Sequence, residues 1–141
     1  MKEHLFWQDI ERLVDDLCGT IIVDCNKNGT TPEETFEAIY GIPRGGLIIA
    51  VMMSHKLGIP IVDRLNEMYG KRFLVVDDIA DTGYTLSKMK AEVFDKACFA
   101  TIHYHHESIV EPDYWVKEKG NDWIVYPWER DDSKHVQDYK L

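Results

Sequence analysis

The chain has little positive charge and little cysteine. Sixteen Lys and Arg residues stand against 25 Asp and Glu residues, which gives a formal net charge of −9 at pH 7. This charge argues against a surface for nucleic acid or anionic membranes, because both carry negative charge themselves. The three cysteines, Cys18, Cys25 and Cys98, show no metal-binding spacing and are odd in number. They predict reduced thiols in a cytoplasmic protein.

Long apolar runs are missing as well. No stretch of 18 apolar residues occurs, and the N-terminal segment lacks the pattern of a signal peptide. We therefore expect no membrane partner. The 141 residues fit one domain with a sizeable core. Residues 1–130 are expected to form this domain, and the polar residues 131–141 a C-terminal tail.

Helical and strand patterns alternate along the chain. Apolar residues at helical spacing predict helices over 5–18, 46–57 and 84–96, and a capped short helix near 31–34. Short apolar runs predict strands at 36–42, 60–62, 73–78, 97–104, 113–117 and 123–126. The run 21–23 is ambiguous, and 26–30 predicts a loop. This alternation predicts an α/β fold in three layers around a parallel sheet, with a ligand at the carboxyl ends of the strands.

The most informative segment extends from Phe73 to Thr85. Four apolar residues lead into two acids, Asp77 and Asp78, and a third acid, Asp81, precedes a Thr/Gly turn and a helical pattern. The N–H groups and the dipole of a helix N-terminus favour an anion such as phosphate. Acids beside a phosphate pocket indicate that sugar hydroxyls or a magnesium ion are their partners.

This segment resembles the phosphoribosyl pyrophosphate (PRPP) signature of the type I phosphoribosyltransferases, with every element of the signature present. The resemblance implies that Asp77 and Asp78 bind the ribose hydroxyls and hold Mg²⁺, directly or indirectly. It also implies that Asp81 lies near the purine N7 as a catalytic proton acceptor or donor. The loop around the 5′-phosphate would consist of Asp81, Thr82, Gly83, Tyr84 and Thr85.

A second motif spans Ile39 to Leu47, where an apolar strand passes through a glycine turn into an apolar helix. Gly45 and Gly46 allow the backbone to approach a ligand closely, and Arg44 offers planar donors suited to phosphate oxygens. The motif resembles the pyrophosphate loop of the same family, which contains a strained, often cis, non-proline peptide. The resemblance implies that Arg44, Gly45 and Gly46 bind pyrophosphate and that Arg44 contributes to catalysis.

A third motif, residues 121–129, is similar to a segment of the bacterial xanthine-guanine phosphoribosyltransferases. There the first tryptophan stacks on the purine and the next residue reads the purine edge through its backbone. The resemblance implies that Trp123 stacks on the base and that Ile124 supplies the backbone contact. Trp128 is interpreted as a core residue.

Two departures from the family pattern bear on function. The link at residues 63–72 is too short for the long hood of typical members, which closes over the substrates and excludes water. The related enzymes also carry a lysine for the purine 6-oxygen where this chain places His105, at or beside that position. A histidine can donate to an oxo group or accept from an amino group, depending on its tautomer and charge.

The sequence therefore predicts a type I phosphoribosyltransferase fold with a shortened hood. The resemblance implies transfer of the 5-phosphoribosyl group of PRPP to a purine base, as in 6-oxopurine salvage, with Mg²⁺ as cofactor and pyrophosphate released. It also implies a homo-oligomer, either a dimer or a tetramer. Two alternatives stay open: a PRPP- or nucleotide-binding regulatory protein of the same fold with little transferase activity, and a transferase for another nucleobase.

Overall fold

A parallel sheet organises the chain, which a computed structural model describes over residues 1–64, 72–92 and 97–130. The helices are α1 (Trp7–Lys27), α2 (Pro32–Thr35), α3 (Gly45–Leu57) and α4 (Tyr84–Glu92). The strands are β1 (Lys2–His4), β2 (Ala38–Gly41), β3 (Ile61–Val62), β4 (Phe73–Ala80), β5 (Ala97–Tyr104), β6 (Lys117–Glu118) and β7 (Trp123–Val125).

Five of the strands form one sheet in the order β3-β2-β4-β5-β6, and every neighbouring pair is parallel. Alternate residues of the central strand β4 face opposite sides. Leu74 and Val76 pack into the core beneath α1 and α3, whereas Phe73 and Val75 pack into the core beneath α4. The predicted three-layer α/β architecture is thereby confirmed.

The strand order places a crevice between β2 and β4. The chain leaves β2 through α3 toward β3 on one side, and leaves β4 through α4 toward β5 on the other. The two connections diverge, so the loops that follow β2 and β4 leave open space at the carboxyl edge of the sheet. Both loop motifs found in the sequence lie at this edge.

A second, separate parallel pair joins β1 to β7. The Trp123 N–H donates to the Met1 carbonyl at 3.0 Å, and the Leu5 N–H donates to the Val125 carbonyl at 2.9 Å. The N-terminal segment thus supports the strand that carries Trp123. Strand β1 was not predicted, because the sequence Lys-Glu-His has no apolar alternation.

Several element boundaries differ from the predictions, and three of the differences have a clear structural description. Helix α1 continues to Lys27 rather than ending at 18, because Ile21 and Cys25 extend the buried stripe of Leu17 at intervals of four residues. The predicted strand 113–117 is reduced to β6 and one isolated bridge between Tyr114 and Ala100. Strand β4 continues beyond 78 to Ala80, because its last residues pair with β5.

Several predictions concern residues outside the described part of the chain. These are most of the shortened hood (65–71), the end of the predicted helix 84–96 (93–96) and the C-terminal tail (131–141). Within the described ranges, no helix is both long enough and apolar enough to cross a membrane.

Candidate active site

A cavity of about 480 Å³ opens between the loops that follow β2 and β4. Strand β7 closes it on the far side. Most of the residues predicted for the site line this cavity: Arg44, Gly45, Asp77, Asp78, Asp81, Thr82, Gly83, Thr85, Trp123 and Ile124. Of the other predicted residues, Gly46, Tyr84 and His105 stand outside the lining that the described residues form.

The glycines after β2 are required by close packing. A Cβ atom at Gly45 would collide with the Asp78 carboxylate, and one at Gly46 would collide with the Val76 carbonyl oxygen of β4. Helix α3 can therefore begin directly against the sheet, with its N-terminus beside the cavity. The peptide bond between Pro43 and Arg44 is cis, as the family resemblance implied. An anion in the cavity would meet Arg44 together with the N-terminal N–H groups of α3.

The two adjacent acids lie within β4 and have different environments. Asp77 is only 4% exposed, and its Oδ1 accepts a hydrogen bond from the Asp78 N–H at 2.9 Å. Asp78 is partly exposed, and its carboxylate lies against Gly45. Both residues line the cavity. The acid pair therefore presents oxygen acceptors at the junction between the two loops.

The loop between β4 and α4 is held in a conformation that only glycine adopts readily. Gly83 has a φ of +82°, and a Cβ atom there would collide with Ser108 Oγ. Thr82 Oγ1 accepts from the Tyr84 N–H at 3.2 Å, and the Thr82 carbonyl accepts from the Ile109 N–H at 2.9 Å. Tyr84 begins α4 and is 53% exposed.

Lys119 is a cavity residue that the sequence analysis missed. Its Nζ donates to Asp81 Oδ2 at 2.9 Å and lies 5.7 Å from the centre of the Trp123 ring. The side chain is only 11% exposed. Its backbone N–H donates to the Tyr104 carbonyl at 2.8 Å, which places Lys119 beside the end of β5. The only local signal was a basic residue four positions before Trp123.

His105 lies against Asp81 from another direction. Its Nδ1 is 3.6 Å from Asp81 Oδ1, and its side chain is 13% exposed. Asp81 therefore has Lys119 at one carboxylate oxygen and His105 at the other. His105 thus lies beside Asp81, the acid expected to exchange a proton with the base. The predicted contact between His105 and the base stays a prediction.

A buried pair, His103 and Tyr126, lies at the wall of the cavity, where Tyr126 belongs to the lining and His103 lies behind it. Tyr126 Oη is 2.8 Å from His103 Nδ1, and the Tyr126 ring stacks on Trp128 at a centroid distance of 4.8 Å. Burial, and to a lesser degree Lys117 and Lys119, lowers the pKa of His103 to about 4. Burial together with Asp78 raises the pKa of Tyr126 well above its usual value. Both side chains are therefore neutral at physiological pH.

A scan of the chain against models of known protein families finds no match. Among curated proteins, it is 29% identical to the xanthine-guanine phosphoribosyltransferase of Idiomarina loihiensis, over 87% of this chain and 84% of that protein. Among solved structures, it resembles the purine phosphoribosyltransferase of Pyrococcus horikoshii, with a TM-score of 0.75 and 29% identity over 96% of this chain and 99% of that one.

A third similar protein, from Neisseria gonorrhoeae, is described as hypothetical and was solved with bound ppGpp. Its TM-score is 0.65, its identity is 25%, and the match covers 94% of this chain and 92% of that one. The similarity to purine phosphoribosyltransferases covers 87% of this chain in the curated relative and 96% in the solved structure. The resemblance to the type I phosphoribosyltransferases, and to the purine enzymes among them, is confirmed.

Proposed function

We propose that the chain is a purine phosphoribosyltransferase, which transfers the 5-phosphoribosyl group of PRPP to a purine base and releases pyrophosphate. The observation that carries the proposal is the convergence of three features on one cavity. The Gly45 loop and the Asp81–Thr85 loop each bring a helix N-terminus to it, and Trp123 faces them across the space. Such an arrangement accepts two phosphate groups and a flat heterocycle at once.

The chemistry assigned to these residues is positioning and charge stabilisation. The bond between C1′ and the pyrophosphate oxygen breaks, and pyrophosphate leaves with the bonding electrons beside Arg44 and the α3 N-terminus. A purine nitrogen forms the new bond to C1′, while Asp77 and Asp78 hold the ribose. The proton displaced from the base goes to Asp81, whose carboxylate lies at the edge of the cavity.

The base contacts come from the β7 side of the cavity. In the parallel ladder with β1, Trp123 and Val125 direct their backbone groups toward β1. The N–H and C=O of Ile124, between them, therefore point to the opposite edge, which supports the proposed reading of the purine edge. Lys119, beside Trp123, offers an ammonium donor to a 6-oxo group. We assign oxo recognition to Lys119 rather than to His105.

The residues present suit a magnesium ion that is shared with the substrate. Mg²⁺ prefers oxygen ligands and is usually bound by one or two carboxylates together with substrate phosphates. Asp77 and Asp78 provide such carboxylates, whereas no group of three or more potential metal ligands occurs within the described ranges. When bound, the ion would neutralise charge on the pyrophosphate group. Asp77 and Asp78 would hold it, directly or indirectly.

The experiment that tests the proposal is nucleotide formation from PRPP and Mg²⁺ with a panel of bases. Hypoxanthine, guanine, xanthine, adenine and uracil should be compared at equal concentrations, with product separated by chromatography. We expect nucleoside 5′-monophosphate and pyrophosphate in equal amounts with at least one 6-oxopurine. Activity with uracil alone would assign the chain to another nucleobase, and no activity with any base would remove the transferase assignment.

A nucleotide-binding protein without transfer is the second candidate. It is favoured by the short link between β3 and β4, and by the similar Neisseria protein that was solved with bound ppGpp. Calorimetric titration with PRPP, guanosine monophosphate and ppGpp separates the candidates when combined with the activity panel. Tight binding of a guanine nucleotide by a chain that forms no product would establish this second function.

We also propose a cytoplasmic homo-oligomer, either a dimer or a tetramer. Helix α3 is apolar around most of its circumference, and Leu47 and Val51 on its outer face are 41% and 48% exposed. Ile61 of the edge strand β3 is 37% exposed. A helix that is hydrophobic on all sides is normally buried, which favours a second copy against this face. Light scattering of the purified protein, compared with Val51→Glu, tests the assembly.

A further inference from the structure

The two substrates are proposed to lie on separately paired strands. The ribose acids Asp77 and Asp78 belong to β4 in the five-stranded sheet, whereas Trp123 and Ile124 belong to β7, which pairs with β1 in a sheet of its own. Bond formation needs the base nitrogen and C1′ at a defined distance and angle. Something must therefore fix β7 relative to β4.

Tyr126 makes a direct hydrogen-bonded connection between these strands. It follows β7 immediately, is 3% exposed, and its Oη lies 3.4 Å from the main-chain carbonyl oxygen of Asp78 in β4. The same oxygen lies 2.8 Å from Nδ1 of His103, which is 1% exposed in β5. Neither His103 nor Tyr126 has a role in the chemistry proposed above.

Only one tautomer of His103 satisfies this arrangement. A carbonyl oxygen can only accept, so the Tyr126 hydroxyl must donate its proton to Asp78. His103 must then donate from Nδ1–H to Tyr126, which leaves Nε2 as an acceptor. Among the described residues, His103 Nε2 has no hydrogen-bond partner. A buried acceptor left unpaired is unfavourable, and a leucine in this place would avoid it.

We propose that the chain His103 Nδ1–H to Tyr126 Oη–H to the Asp78 carbonyl is a positioning device that sets the base strand against the ribose strand. Tyr126 and His103 are its positioning residues, and this role rests on the proposed function. PRPP is assigned to the β2 and β4 side of the cavity and the stacking surface for the base to β7, so loss of the device leaves the binding of each substrate alone largely intact. The reaction, and the binding of a product nucleotide, engage both strands at once and depend on their alignment.

Tyr126→Phe tests the device by removing one oxygen atom. We expect kcat to fall roughly tenfold or more, because small misplacements of reacting groups reduce rates strongly, while KM for PRPP and for the base changes less than about twofold. Tyr114→Phe is the matched control, since it removes a 2.6 Å hydrogen bond to Asp24, and neither of these residues lines the cavity. A Tyr126→Phe enzyme with unchanged kcat, or with both KM values raised and kcat intact, would overturn the proposal.

Variants of His103 distinguish positioning from packing. His103→Asn keeps a donor near the place of Nδ1 and should retain most of kcat, whereas His103→Leu should lose as much as Tyr126→Phe. The double variant His103→Leu/Tyr126→Phe should be no slower than either single variant, because both remove the same connection. Additive losses in the double variant would contradict a single chain of hydrogen bonds.

Two measurements do not depend on turnover. In Tyr126→Phe, the calorimetric affinity for a nucleoside 5′-monophosphate, which spans both strands, should fall by more than the affinity for PRPP. The ¹⁵N and ¹³C shifts of His103 in the wild-type protein should report a neutral Nδ1–H tautomer, and an Nε2–H tautomer would refute the hydrogen-bond chain. An inactive wild type that shows the expected shifts and nucleotide effect would remove the transferase assignment and leave the positioning role in place.

Discussion

Replacing Lys119 with methionine should weaken the preference for oxo over amino purines. The Lys119 side chain is 11% exposed, points at Asp81 from 2.9 Å and lies over Trp123. In our assignment it donates to the 6-oxo group once a base stacks on Trp123. Methionine has a similar unbranched shape and no donor. A base oxygen left unpaired in the cavity costs about 1–3 kcal/mol, which corresponds to roughly a 5- to 150-fold effect.

The measurement is the ratio of kcat/KM for hypoxanthine to that for adenine. Lys119→Met also removes one of the two partners of Asp81, which should slow the reaction with both bases. Hypoxanthine and adenine present the same N7 to Asp81. The loss of rate caused by the altered Asp81 should therefore be similar for both bases and largely cancel in the ratio. The ratio therefore isolates the contact with position 6, and we expect it to fall by roughly one to two orders of magnitude.

Two further variants complete the comparison. Lys117→Met is the matched control, because Lys117 lies two positions earlier with its side chain 50% exposed and its Nζ 3.7 Å from Glu3. This variant should leave the ratio unchanged. His105→Gln tests the original sequence-based hypothesis. A ratio that is unmoved by Lys119→Met and shifted by His105→Gln would refute our assignment and restore His105 as the base contact.

The remaining predictions concern the ribose acids, the packing of α3 and the buried histidine. Asp77→Asn combined with Asp78→Asn should weaken PRPP binding by several kcal/mol, at about 1.5–3 kcal/mol per charged hydrogen bond, and unchanged calorimetric affinity in the folded variant would exclude the ribose assignment. Gly46→Ala should destabilise the domain by about 1–3 kcal/mol in urea unfolding, because the new Cβ atom would collide with a β4 carbonyl oxygen. The control is Gly19→Ala on α1, where the new Cβ atom meets open space and should stabilise the domain by about 0.5–1 kcal/mol. Burial lowers the pKa of His103 to about 4. The unfolded chain therefore takes up a proton below about pH 6.5, whereas the folded chain takes it up only below about pH 4. The free energy of unfolding should fall by about 3 kcal/mol as the pH is lowered from 6.5 to 4. His103→Asn should lack this part of the pH dependence, and identical pH profiles of the two proteins would contradict it.

The parts of the site that sequence could predict are those in which the backbone imposes the residue type. Gly46 lies where α3 meets a carbonyl of β4, and Gly83 has a left-handed φ against Ser108. Each requirement falls on a single position that admits only glycine, so the glycine marks it in the sequence although the atoms that impose it lie elsewhere in the chain. The acid pair was found in the same segment, because it lies in β4 shortly before the loop that leads into α4. The strands and helices around these loops were accordingly predicted in the right order.

The extent of α1 and the existence of β1 could not be read locally. The turn-forming residues after Cys25 predicted a loop, but the buried stripe of α1 against the sheet extends the helix to Lys27. Strand β1 consists of three polar residues, and these residues form a strand because they pair in parallel with β7. Tertiary contacts decide both cases, which is why propensity alone gave the wrong boundary.

Lys119 shows why a position count along the chain can miss a side chain that lines the cavity. Counting back from Trp123 led to His105 at the end of β5. The Lys119 N–H, however, bonds to the Tyr104 carbonyl, so Lys119 stands laterally beside that strand end although it lies 14 positions after His105 in sequence. Neighbouring strands are only about 4.8 Å apart, and a long lysine side chain easily spans that distance. A lysine at this edge of the cavity can therefore come from either of two neighbouring strands. The spacing of residues within one sequence motif does not show which strand supplies it.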